Sequence, residues 1–109
     1  MSGFQLQELD AAEVKTALDR GEAVLIDVRE PAEYARERIP GVPLVPISAF
    51  DIAKVRQIAG SKKVILHCGS GIRSARAAEA LNGAGVTNVA HLKGGIATWR
   101  DAGFKLDSG

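Results

Sequence analysis

The sequence predicts an α/β fold, a parallel sheet with helices on both faces. Three observations point there. Two short apolar runs rich in branched residues, Ala23–Val28 and Val64–Cys68, have the character of strands covered on both sides. The segments around them carry helix start and stop signals instead of tight hairpin turns. Strand and helix alternate along the chain at lengths that suit parallel crossovers. At 109 residues the chain is read as one domain, 1–109, large enough for a single core.

The elements follow in order. Asp10 caps a helix over residues 11–20, with Glu13 three positions on completing a capping box and Gly21 ending it. The first buried strand is Ala23–Val28. Pro31, well placed at a first helical position, opens a short helix to about Arg36. Ile39-Pro40-Gly41 is a turn, and Val42–Ile47 reads as a broken strand because Pro43 and Pro46 limit its pairing. Ser48 is expected to cap a helix through about Ile58. After the strand Val64–Cys68 comes a helix over Arg73–Leu81, closed by Asn82-Gly83. A short strand, Val89–Leu92, then leads through Gly94-Gly95 to a last helix around 96–102, stopped by Gly103.

Composition excludes several classes of function. A net charge of +1, from 14 Lys and Arg against 13 Asp and Glu, gives no basic footprint for nucleic acid or an anionic membrane. No apolar run approaches the roughly 20 residues that span a bilayer, and residues 1–7 lack the pattern of a signal peptide. The single cysteine allows neither an internal disulfide nor a thiolate zinc cluster, and a free thiol places the chain in a reducing compartment, the cytoplasm by default. No metal or organic cofactor is suggested.

That cysteine, Cys68, lies where the strand Lys63-Val64-Ile65-Leu66-His67 turns through Gly69-Ser70-Gly71-Ile72 into the helix opening at Arg73. N–H groups of such a loop and the positive end of the helix favour negative charge. A Cys68 thiolate is therefore predicted to form near neutral pH and to be nucleophilic. Strand ends of this kind are where open α/β sheets bind ligands, and Asp27 and Arg29 sit at another such end.

These residues resemble the rhodanese family, with the match running along nearly the whole chain. Leu25-Ile26-Asp27-Val28-Arg29-Glu30-Pro31-Ala32-Glu33-Tyr34 is similar to its first signature, with Ile39-Pro40-Gly41 as the turn that follows. Cys68 to Ser74 resembles its active-site loop, and Leu92-Lys93-Gly94-Gly95-Ile96-Ala97-Thr98-Trp99 with Ala102-Gly103 its C-terminal signature. The resemblance implies a five-stranded, mostly parallel sheet. Glu37-Arg38 and Leu44 depart from the family's usual Gly-His and Asn, outside the cysteine loop. The stretch from Asp27 to Ile47 also looks like bacterial rhodaneses whose domain precedes a pair of membrane helices, so the chain is either free-standing or a domain cut from a longer protein.

The resemblance implies a sulfurtransferase. Four residues separate Cys68 from Arg73, as in that class, whereas related phosphatases and arsenate reductases carry one more. A persulfide presents one outer sulfur to the ring of donors; a phosphoryl group needs a wider cradle. Cys68 is the expected nucleophile, Gly69, Ser70, Gly71, Ile72 and Arg73 the expected substrate cradle, and Asp27, Arg29 and Ser74 supporting residues. The expected partners are a small anionic sulfur donor such as thiosulfate and a thiol or thiol-protein acceptor, with the chain a monomer. A rhodanese-fold phosphatase or arsenate reductase and a non-catalytic interaction module are the alternatives.

Other residues are read more plainly. Asp27 and Arg29 are expected to form a structural ion pair, with Glu33 a further partner for Arg29. Ser70 and Ser74 either donate to substrate or cap the helix. His67 is expected to point away from Cys68, His91 to lie at the surface, Lys93 in solvent and Trp99 in the core.

Overall fold

The structure, a computed structural model, describes residues 4–109. Four parallel strands form the main sheet: β1 (Gln7–Leu9), β2 (Ala23–Asp27), β4 (Lys63–His67) and β5 (Val89–Leu92), in the order β1-β5-β4-β2. Ile65 stands between Leu25 and Ala90, which fixes the register at the centre. The fifth position, beside β2, is taken by the expected broken strand. It shrinks to one bridge, Asp27 to Leu44, with Val45 N–H donating to Asp27 O and Ile47 N–H to Val28 O at 2.9 and 3.1 Å. Pro43 and Pro46 lack the donors a longer ladder needs.

Helices cover both faces. On one, α3 (Ile52–Ala59) and α4 (Ile72–Gly83) lay Val55, Ala77, Ala78 and Leu81 on Ile26, Val64 and Leu66. On the other, α1 (Ala11–Asp19) and α5 (Ile96–Asp101) pack Val14, Ile96 and Trp99 on Leu25, Ile65 and Leu92. Alternation along β2 and β4 sends successive side chains to opposite layers, so two apolar cores need near-continuous apolar strands.

The caps behave as the side chains dictate. Asp10 and Glu13 form the reciprocal capping box of α1, at 2.8 and 2.9 Å. Pro31 opens α2 (Pro31–Arg36). Ser48 does not cap the third helix: residues 47–49 make a 3₁₀ turn, Ser48 donates to Glu30, and Asp51 caps α3 by accepting from Lys54 N–H at 3.0 Å. Asp51 accepts at the helix start itself, which Ser48 is too far upstream to reach.

Three short strands carry no strong sequence signal. β1 is three residues long and pairs only with β5. β3 (Glu37–Arg38) pairs antiparallel with β6 (Asp107–Ser108), so the Glu37-Arg38 departure is where the C-terminal segment docks.

Candidate active site

β4 delivers Cys68 to the carboxyl end of the sheet, and the chain then turns through Gly69–Gly71 into α4. Gly71 is the residue before the helix and has φ +110°, a left-handed conformation that side chains resist. Its position brings the Gly71 N–H to 3.0 Å from Cys68 Sγ, and the Ser74 N–H to 3.4 Å. The Ser74 hydroxyl lies 3.5 Å from the same sulfur.

These donors decide the acidity of the thiol. Burial pushes the Cys68 thiol up; the Ser74 hydroxyl and the N–H groups of Ser74, Gly71 and Ser70 pull it down more strongly. The result lies below the ordinary cysteine value, which favours the nucleophilic form. Cys68 itself has 0 % exposure and packs with the α3–α4 core, so the sulfur is covered on that side by apolar side chains and on the other by the loop.

The loop is held from behind by the turn after β5. Ile96 N–H donates to Cys68 O at 2.8 Å, and a Cβ at Gly95 would stand 2.3 Å from that oxygen and 2.6 Å from the Gly69 carbonyl carbon. Only a glycine allows this approach. Ser70 and Ile72 line the rim; Ile72 is 67 % exposed, the large apolar side chain most open to solvent among the described residues.

Arg73, at the start of α4, is held by a carboxylate from α2. Its guanidinium binds Glu33 through both nitrogens, at 2.6 and 3.0 Å, and a methyl at Gly69 would sit 3.1 Å from Nη2. Glu33 therefore pairs with Arg73 and not with Arg29. The Arg73 hydrogen bonds hold the Glu33 carboxyl at about 2. Hydrogen bonds from the loop N–H groups and Ser74 lower the thiol; the guanidinium is joined to a carboxylate that neutralises it.

Asp27 and Arg29 form the expected ion pair, in an almost fully buried setting. Arg29 Nη2 donates to Asp27 Oδ2 at 2.7 Å and to the Glu37 carbonyl at 2.6 Å, tying β2 to β3. His67 is fully buried on the same side, its Nε2 3.5 Å from Asp27 Oδ2 with no well-formed hydrogen bond. Alternation puts this cluster on the face opposite Cys68, so these residues support the sheet edge and do not reach the sulfur. Trp99 is in the core, donating from Nε1 to Lys105 O at 3.0 Å, and Lys93 is exposed.

His91 overturns its expected surface position. It is 4 % exposed; Nδ1 meets Ser74 Oγ at 2.8 Å and Nε2 meets Glu8 Oε2 at 3.0 Å. Alternation does not bring His91 to the surface because β5 is buried on both faces and β1, which carries Glu8, covers its edge. The signal was available in Val89-Ala90-His91-Leu92: a polar residue inside an otherwise wholly apolar strand.

No helix of the described residues is long and apolar enough to cross a membrane, and no cluster of three or more metal-ligating side chains occurs among them. Residues 10–102 match the profile of the Rhodanese-like domain. The chain is 31% identical over 102 residues to a protein named sulfurtransferase from Allochromatium vinosum, covering 93% of this chain and 94% of that one. It is 39% identical over 81 residues to an uncharacterised Synechocystis protein, covering 74% of this chain and 45% of the relative. The structure of a thiosulfate sulfurtransferase from Pseudomonas aeruginosa superposes with a TM-score of 0.84 at 35% identity, covering 95% of this chain and 20% of that chain. The chain thus spans less than half the length of two of these three proteins. The profile covers most of the chain, the relatives and the fold agree with it, and the chain belongs to the rhodanese-like domain family.

Proposed function

We propose that this chain is a sulfurtransferase that carries a sulfane sulfur on Cys68. The observation that supports it most is the sulfur's surroundings: a lone thiol, lowered in pKa, facing N–H donors from Gly71 and Ser74 at 3.0 and 3.4 Å. Cys68 thiolate attacks the outer sulfur of a donor such as thiosulfate. The donor's S–S bond breaks, sulfite leaves with the bonding pair, and a Cys68 persulfide anion remains. The N–H groups of Gly69 to Arg73 stabilise the negative charge on the sulfurs. A second nucleophile, cyanide in an assay or a thiol in a cell, then takes the outer sulfur and restores the thiolate.

Arg73 and Ile72 form the approach. The Arg73–Glu33 pair leaves little net charge beside the loop, and Ile72 adds an apolar rim, a surface suited to a thiol carried by a small molecule or a partner protein. The unit that does this is a single domain, residues 1–109, acting as a monomer in a reducing compartment.

The test is thiosulfate:cyanide transfer by the wild type and Cys68→Ser. Thiocyanate formation with ping-pong kinetics in the wild type alone is the expected result. Transfer that survives the substitution rejects the reading. Turnover of p-nitrophenyl phosphate without sulfur transfer would favour a phosphatase instead.

A further inference from the structure

We propose that His91, held by Glu8, accepts the Cys68 proton through the Ser74 hydroxyl, and so positions the charge that makes the cysteine reactive. The four groups form an unbroken line. Cys68 Sγ is 3.5 Å from Ser74 Oγ, Ser74 Oγ is 2.8 Å from His91 Nδ1, and His91 Nε2 is 3.0 Å from Glu8 Oε2.

The chemistry of each atom sets the direction. A carboxylate only accepts, so Glu8 calls for a proton on Nε2. In the neutral imidazole Nδ1 is then an acceptor, and the single Ser74 proton points to it across the shortest contact that hydroxyl makes. This leaves a Ser74 oxygen lone pair facing the Cys68 S–H. When the thiol ionises, its proton passes to Ser74 Oγ as the Ser74 proton passes to Nδ1. The products are a thiolate, a serine hydroxyl now donating to it, and an imidazolium held by Glu8. A neutral pair has become an ion pair, with no atom or charge unaccounted for.

The setting suits that exchange. His91 and Ser74 are buried at 4 % and 0 %, where a charge is stable only with a partner. Glu8 supplies one from β1, where it stands directly beside His91 in the ladder, with its own side chain half exposed. The other neighbours add no competing charge. Leu66, His91's partner on β4, is apolar; Gly71 lies on the Cε1 side, where an added Cβ would stand 3.8 Å from that atom; Arg73 on α4 is neutralised by Glu33 from α2; Arg76 and Glu79 of α4 are exposed.

The consequence for sulfur transfer rests on the function proposed above, but the proton relay can be read without it. Cys68 is the only cysteine, so the rate of alkylation by iodoacetamide as a function of pH reports its ionisation directly. His91→Asn keeps a polar group near Ser74 but takes up no proton, and should move the titration of Cys68 up by about one pH unit, about tenfold slower at neutral pH. Glu8→Gln, on an exposed edge where folding is safe, keeps an acceptor for Nε2–H without the charge. It should move the titration by about half a unit in the same direction. In a Ser74→Ala background His91→Asn should have no further effect, because the link is already cut. Wild-type titration in Glu8→Gln, or a shift to lower pH, overturns the relay even if His91→Asn does not fold. Alkylation needs no sulfur donor: failure of the persulfide chemistry leaves this result standing, and an unshifted profile in a protein that forms a persulfide rejects only the relay.

Discussion

Lowering the pH from 7 to 4 should weaken the fold through His67, which is far from any solvent and lies at the sheet's second core. Burial holds its pKa at about 4 against a usual 6.5; Asp27 raises it and Arg29 lowers it, and the burial wins. The unfolded chain therefore takes up a proton near pH 6.5 that the folded chain refuses until about 4. Between those values the unfolded state binds more protons, so stability is fully present above pH 6.5 and falls as the pH drops. The shift is worth about 3 kcal/mol, a large part of the stability of a small domain. The assay is urea unfolding at pH 7 and pH 4, in the wild type and in His67→Leu, which removes the titrating group without leaving a polar atom unpaired. The wild type should lose about 3 kcal/mol more across this window than the leucine variant. Glu33, lowered from 4.5 to about 2, adds a small loss near pH 4 that is common to both proteins and cancels in the comparison. Equal losses in the two proteins would refute the reasoning.

Releasing Arg73 tests what Glu33 does. Glu33→Gln removes a negative charge beside the loop, and a partly exposed ion pair is worth about 1 kcal/mol; KM for thiosulfate, a dianion, should fall about fivefold in steady-state assays at low salt, with the gain shrinking as salt rises. An unchanged or higher KM contradicts the view that Glu33 competes with the donor. Gly95→Ala should cost about 3 kcal/mol in chemical unfolding and abolish transfer, because the new methyl meets the backbone of Cys68 and Gly69. Gly85→Ala, with φ +89° but open space around it, should cost only about 1 kcal/mol and leave activity intact. Similar losses in both would show that strain, and not contact with the cysteine loop, dominates.

Much of the fold can be read from the chain because two strands and four capped or glycine-ended helices carry strong local signals. Asp10 with Glu13, Pro31 and the apolar runs at Ala23 and Val64 need no tertiary information. β1 and β6 escape that reading: each has three residues or fewer, and each is a strand only because another segment offers it a ladder. The cysteine loop is equally legible, since Gly71 and the four-residue spacing are local. Partners are not. Glu33 sits 40 residues from Arg73 and Glu8 83 residues from His91, and no spacing rule joins them. His91 shows the cost of applying alternation to a strand that is covered on both sides.

Intact-mass spectrometry after brief exposure to thiosulfate tests the central claim most directly. The account predicts an added mass of about 32 Da, one sulfur atom, located on Cys68, removed by cyanide with release of thiocyanate and missing in Cys68→Ser. A protein that stays at its unmodified mass with thiosulfate and with low-molecular-weight persulfides, while its thiol alkylates readily, would contradict it.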